Sequence, residues 1–90
     1  MNEDEFRQLA ATQDIREVEF KDYPPNLDGP LHTHDFSVML WVERGEFSLV
    51  CEDGVKVYRP GERCELAARV RHAERTGERG ARVLLGKRPD

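Results

Sequence analysis

The sequence is short of everything that would place it in a membrane or hold it together with disulfides. No stretch approaches the roughly 18 consecutive apolar residues of a spanning helix. No membrane partner is therefore expected. The N-terminus, Met1-Asn2-Glu3-Asp4-Glu5, is acidic and lacks the basic-then-apolar order of a signal peptide, which predicts a cytoplasmic location. Only two cysteines occur, Cys51 and Cys64, and they do not form a CxxC pair. In a reducing compartment a structural disulfide is not expected, and both read as small buried hydrophobes. There is no internal repeat, linker or low-complexity segment. No DNA-binding helix pair is appended, which argues against a transcription factor.

What is present fits one soluble domain. Two domains in 90 residues would each fall below the size that sustains a core. With 38% hydrophobic and 36% charged residues, that core is thin and would benefit from a metal or a partner subunit. Net charge is −4 but uneven: residues 1–54 hold 13 acids against 4 bases, residues 55–90 hold 10 bases against 5 acids. In a barrel the two halves interleave. The basic half also lacks the interleaved aromatics of a single-strand binder, so no nucleic-acid partner is expected.

Residues 3–12 read as a helix with Asn2 as its cap and Phe6, Leu9 and Ala10 on one face. Residues 1–14 form this N-terminal segment and 15–90 the main body. From Ile15 the period becomes two, with Val18 and Phe20 alternating with Glu17 and Glu19. Residues 22–30 hold two adjacent prolines and a glycine and read as a loop. Beyond it, His32, His34, Phe36, Val38, Leu40 and Val42 share one parity on a long bent strand or strand pair. Arg44-Gly45 predicts a turn. Asp53-Gly54 predicts a hairpin between 47–51 and 55–58. Arg59-Pro60-Gly61-Glu62 is another turn. Three short strands follow at 64–67, 70–76 and 81–86, with Gly77 and Gly80 marking the last bend. This is the all-β pattern of a sandwich or barrel.

His32 and His34 stand two apart on one strand, so both point to the same side. Neutral imidazole ligates zinc, iron, nickel and copper. The third and last histidine, His72, also falls on a predicted strand. All three can converge on one point and bind one divalent transition metal ion. An HxH pair alone is weak evidence, but its surroundings strengthen it.

Those surroundings resemble the two motifs of the cupin superfamily. The first is a glycine, HxH, a glutamate three or four residues on, and a glycine; here it runs from Gly29 through His32 and His34 to Gly45. The second is a glycine, a proline, another glycine, a histidine and an asparagine; here it runs from Gly61 to His72 and Thr76. The resemblance covers roughly residues 16–88. It implies a double-stranded β-helix, or jelly-roll barrel, of the RmlC-like kind, with one metal site at His32, His34 and His72. The departures are specific. The family's glutamate ligand falls at Val38, its second-motif proline at Ala67, its glycine at Arg69 and its asparagine at Thr76. A valine cannot bind a metal. A three-histidine set results, as in some cupin dioxygenases, and it leaves coordination positions open.

Glu74 shares parity with His72 and should face the same cavity. It stands open to two roles: acid–base catalyst or ligand-orienting group, or partner of an arginine at the barrel mouth. Tyr23 and Tyr58 are candidates for the pocket lining that no pattern decides. Trp41 and Met39 have outward parity and should pack under the N-terminal segment or in a dimer interface. A homodimer is expected, since a small barrel has exposed edges. Two functions follow. One is a mononuclear metal enzyme of dioxygenase, isomerase or lyase type, acting on a small anionic molecule through Fe, Ni, Zn or Mn. The other is a non-catalytic cupin that binds a small ligand and signals through a partner.

Overall fold

A computed structural model of the chain describes residues 1–89. The expected barrel segment 15–90 extends one residue further, and Asp90 lies outside the described residues. Helix α1 spans Glu3–Thr12. The Asn2 side chain accepts from the Glu5 amide at 2.8 Å, and the Glu5 carboxylate accepts from the Asn2 amide at 2.9 Å. This reciprocal capping box satisfies amide donors that a helix start leaves open. Glu3, Asp4 and Glu5 also place negative charge at the positive end of the helix dipole. One turn apart, Phe6 and Ala10 are buried. They pack with Ile15 on Met39, Trp41 and Leu84 of the sheet.

Five strands form one antiparallel sheet among the described residues: β1 (Val18–Tyr23), β2 (Phe36–Cys51), β3 (Gly54–Tyr58), β4 (Arg63–Leu66) and β5 (Ala73–Pro89). The order is β1-β5-β2-β3, and β4 pairs with the first half of β2. The second half of β2 pairs with β3 across Asp53-Gly54, as that dipeptide predicts. No helix of the described chain is long and apolar enough to cross a membrane.

The expected turn at Arg44-Gly45 is a bend instead. β2 continues through it, with register shifts against β5 between Val42 and Arg44 and between Gly45 and Phe47. Gly45 adopts φ +83°, and a Cβ there would collide with the Gly80 carbonyl oxygen. Two bulges thus curl the paired strands without reversing the chain. The expected break at Gly77 and Gly80 is likewise absent, because β5 runs unbroken through both. The strand expected at 70–76 starts only at Ala73; Arg69 has φ +66°, and the residues before His72 form a turn.

The curl gives the sheet two faces with separate cores. Inside lie Leu40, Val42, Phe47, Leu49, Cys64, Ala81, Val83 and Leu85. Outside, α1 covers Met39 and Trp41, which are 1% and 8% exposed. The Trp41 indole N–H donates to the Met1 carbonyl oxygen at 2.9 Å. The helix therefore takes these two residues, and the apolar face expected to support a dimer contact is already buried within one chain.

Candidate metal and ligand site

The loop after β1 is stitched to the start of β5. The Asn26 amide donates to the Gly77 carbonyl at 2.9 Å, and the Gly29 amide to the Glu74 carbonyl at 3.0 Å. Thr76 donates from its hydroxyl to the Pro24 carbonyl at 2.6 Å and accepts from the Leu27 amide at 2.9 Å. Arg75 pairs with Asp28 at 3.0 Å. These contacts deliver residue 32 to residue 72. The His32 amide donates to the His72 carbonyl at 2.8 Å, and the His72 amide returns the bond at 3.0 Å. Residues paired in this way put their side chains on the same face.

The three imidazoles consequently cluster, with ring centroids 4.4 Å apart for His32 and His72, 4.8 Å for His32 and His34, and 4.9 Å for His34 and His72. His72 is buried and the other two are half-buried. The His32 Nδ1 lies 2.8 Å from the Pro30 carbonyl oxygen, and the His72 Nδ1 lies 2.9 Å from that of Val70. A carbonyl only accepts, so each Nδ1 carries hydrogen and each neutral ring presents a lone pair at Nε2. Burial first, then the neighbouring His72 and His32, hold the His34 imidazole below its ordinary pKa, against the pull of Glu74. The His34 ring is thus biased toward its neutral, metal-binding form.

Glu74 points into this cluster and, among the described residues, has no arginine partner. Its Oε2 lies 3.3 Å from His32 Nε2 and 3.7 Å from His72 Nε2. That oxygen is buried and has no hydrogen-bond partner among the described residues. One ligand atom from each of His32, His34, His72 and Glu74 lies within 4.8 Å of all the others. Ligands about 2.1 Å from a tetrahedral ion stand roughly 3.4 Å apart, close to the two carboxylate–imidazole separations. The donor set and spacing fit a metal ion. The parity that Glu74 shares with His72 puts it on this face.

His34, His72 and Glu74 open on a cavity of about 90 Å³ within the curl of the sheet. Its wall includes Val38, Leu40, Phe47, Leu49, Cys64, Leu66 and Leu85, with Tyr23, Lys21 and Lys87. Val38 therefore shares the cavity with the histidines, as the motif alignment predicts. Tyr23 packs on Phe47 at 5.2 Å, and burial above all, then Glu74 and Cys64, pushes its pKa up to about 12. The phenol stays protonated. Tyr58 does not line this cavity. Tyr23 was within reach of the sequence: continuing the alternation from Val18 and Phe20 puts Lys21 and Tyr23 on the opposite, inner face. The expected end of that strand concealed it. Cys64 is buried and its thiol is raised to about 12, first by burial; Cys51 is half-buried.

No family profile matches the chain, and no curated protein sequence does. Solved structures do match. An RmlC-like cupin from Shewanella frigidimarina superposes with a TM-score of 0.69 at 20% identity, over 81% of this chain and 65% of that one. KdgF from a Halomonas species gives 0.65 at 20% identity, over 81% and 69%. The iron(II) form of HppE in complex with substrate gives 0.68 at 16% identity, over 79% of this chain and 44% of that one. At these identities the likeness is one of fold. The fold of this chain is the cupin fold, in its RmlC-like form.

Proposed function

We propose that this chain is a small metal-dependent cupin in which His32, His34 and His72 hold one divalent transition metal ion, drawn from Fe, Ni, Zn and Mn. The observation that carries the reading is a cluster of acceptors without a donor. The buried Glu74 Oε2 lies 3.3 and 3.7 Å from the Nε2 atoms of His32 and His72. Such an arrangement is unfavourable until a cation fills it. A proton on His32 would serve Glu74, but would leave the His72 Nε2 and the His34 nitrogen facing the same point unserved. A metal ion serves all of them.

When bound, such an ion supplies a Lewis acid or a site for dioxygen. The chain's own part is to enclose and position a small anionic molecule beside it. Glu74 is the acid–base group of this reading: with Oε2 turned to the imidazoles, its other oxygen is left to take or give a proton. Its inward orientation favours an enzyme of dioxygenase, isomerase or lyase type over a passive sensor. A homodimer belongs to the same reading, through the outer edge of β3, because α1 already covers the outer face.

Elemental analysis of protein purified without added metal is the test. One ion per chain is expected, and none in His32→Ala or His72→Ala. Equal metal content in all three proteins would refute the site. A substrate screen under oxygen then distinguishes the reaction types.

A further inference from the structure

Resting on the metal reading above, we infer that Glu74 of β5 supplies the carboxylate of this site, and that the open side at Val38 receives a short-chain carboxylate whose charge Lys87 meets. Val38 and Glu74 stand on different stretches of wall. Val38 lies on the first half of β2, in register with Lys87 of β5 on one side and Leu66 of β4 on the other. Glu74 lies at the far end of β5, in register with Leu49 on the second half of β2. The bulges between the two halves of β2 curl them around the histidines. A carboxylate delivered from Glu74 therefore occupies a different side of the cluster from one delivered at position 38. The side at Val38 stays open to the cavity.

The chemistry of that side selects its occupant. Lys87 lines the cavity opposite Val38, one residue past the last pairing of β5 with β1. Its ammonium sits 4.8 Å from the Phe36 ring centroid and has no carboxylate partner among the described residues. Lys21 is placed alike over Tyr23 at 4.7 Å, although on the edge strand β1 a lysine also discourages sheet-to-sheet pairing. A divalent ion outweighs the single Glu74 charge, and the lysines add to the excess, so an anion is favoured. Around Lys87 the wall is apolar, with Phe36, Val38, Leu66 and Leu85. The cavity of about 90 Å³ is smaller than the roughly 150 Å³ that holds benzene. A carboxylate on a chain of a few carbons fits both limits.

Cobalt(II) loading with butyrate as probe tests this by visible absorption, without any assay of turnover. Glu74→Gln should lower cobalt affinity roughly 10- to 100-fold, and Val38→Glu added to it should restore most of the loss. Val38→Glu alone should keep the cobalt and abolish the butyrate-induced spectral change. Lys87→Gln, at an exposed position that the fold tolerates, should keep the cobalt and weaken butyrate roughly threefold to tenfold. Cobalt affinity unchanged in Glu74→Gln overturns the role of Glu74 at the metal. Butyrate binding unchanged in both Lys87→Gln and Val38→Glu overturns the placement of the ligand. A wild-type protein that takes up no cobalt overturns the metal reading itself, and with it this inference.

Discussion

His32 and His72, 40 positions apart in the chain, hold each other by two backbone hydrogen bonds of 2.8 and 3.0 Å. The bonds come from the main chain, so they survive replacement of either ring. His72→Ala should therefore lower metal affinity by about a hundredfold or more, while its far-ultraviolet circular dichroism matches the wild type. Chelator competition measures the first and dichroism the second. Loss of both together would mean that the ring, not the backbone pair, holds the segment.

Metal binding should stabilise the fold. An ion that binds only the folded state contributes about 2.7 kcal/mol at a hundredfold excess over its Kd. For a domain of this size that raises Tm by roughly 10–20 °C. Thermal melts with zinc and with excess chelator should differ by this much in the wild type and not in His32→Ala.

Alkaline pH should weaken the protein. The Tyr23 phenol and the Cys64 thiol are both raised to about 12 by burial, from ordinary values of 10.0 and 9.0. Between about pH 9 and 12 the folded chain keeps these protons while the unfolded chain loses them. The unfolded state then binds fewer protons, so stability falls as pH rises through that window. Urea unfolding at pH 8 and pH 10.5 should show the loss, and Tyr23→Phe combined with Cys64→Ala should flatten it. At pH 8 an alkylating reagent should modify half-buried Cys51 and leave Cys64 untouched until the protein unfolds.

Phe6 is 0% exposed and fixes α1 against Met39, Trp41 and Leu84. Phe6→Ala should cost about 3–5 kcal/mol. If the helix detaches as a unit, Trp41 becomes wet, and its fluorescence should shift to longer wavelength before the sheet melts. A single transition with no such shift would show that helix and sheet unfold together.

How far these features are legible without coordinates depends on what each signal needs. The capping of α1 at Asn2 and its buried Phe6 and Ala10 are local, and a period of 3.6 suffices to see them. So is the Asp53-Gly54 hairpin. Gly45 was read as a reversal because a glycine after a charged residue serves a turn and a bulge equally. Only the partner strand, which brings Gly80 against it, distinguishes the two. The histidines were legible through parity and motif spacing. Glu74 was legible to the right face, but its choice between an arginine and the imidazoles depends on the pairing of residues 32 and 72. That pairing lies in no local pattern.

The place of β5 in the sheet has a consequence for how the chain is made. β5 lies between β1 and β2, yet it follows both in sequence. Residues 18–23 gain their only strand partner when residues 81–86 arrive, a separation of about 60 positions. Loops of that span close slowly, and their closure must precede the contacts that reward it. During synthesis β2 and β3 can pair early, as a hairpin with one naked edge. The His32 and His34 rings wait for His72, which directly precedes β5. Metal capture is thus tied to the segment that leads into β5, and a ribosome-bound chain that stops short of residue 72 presents two imidazoles and no third.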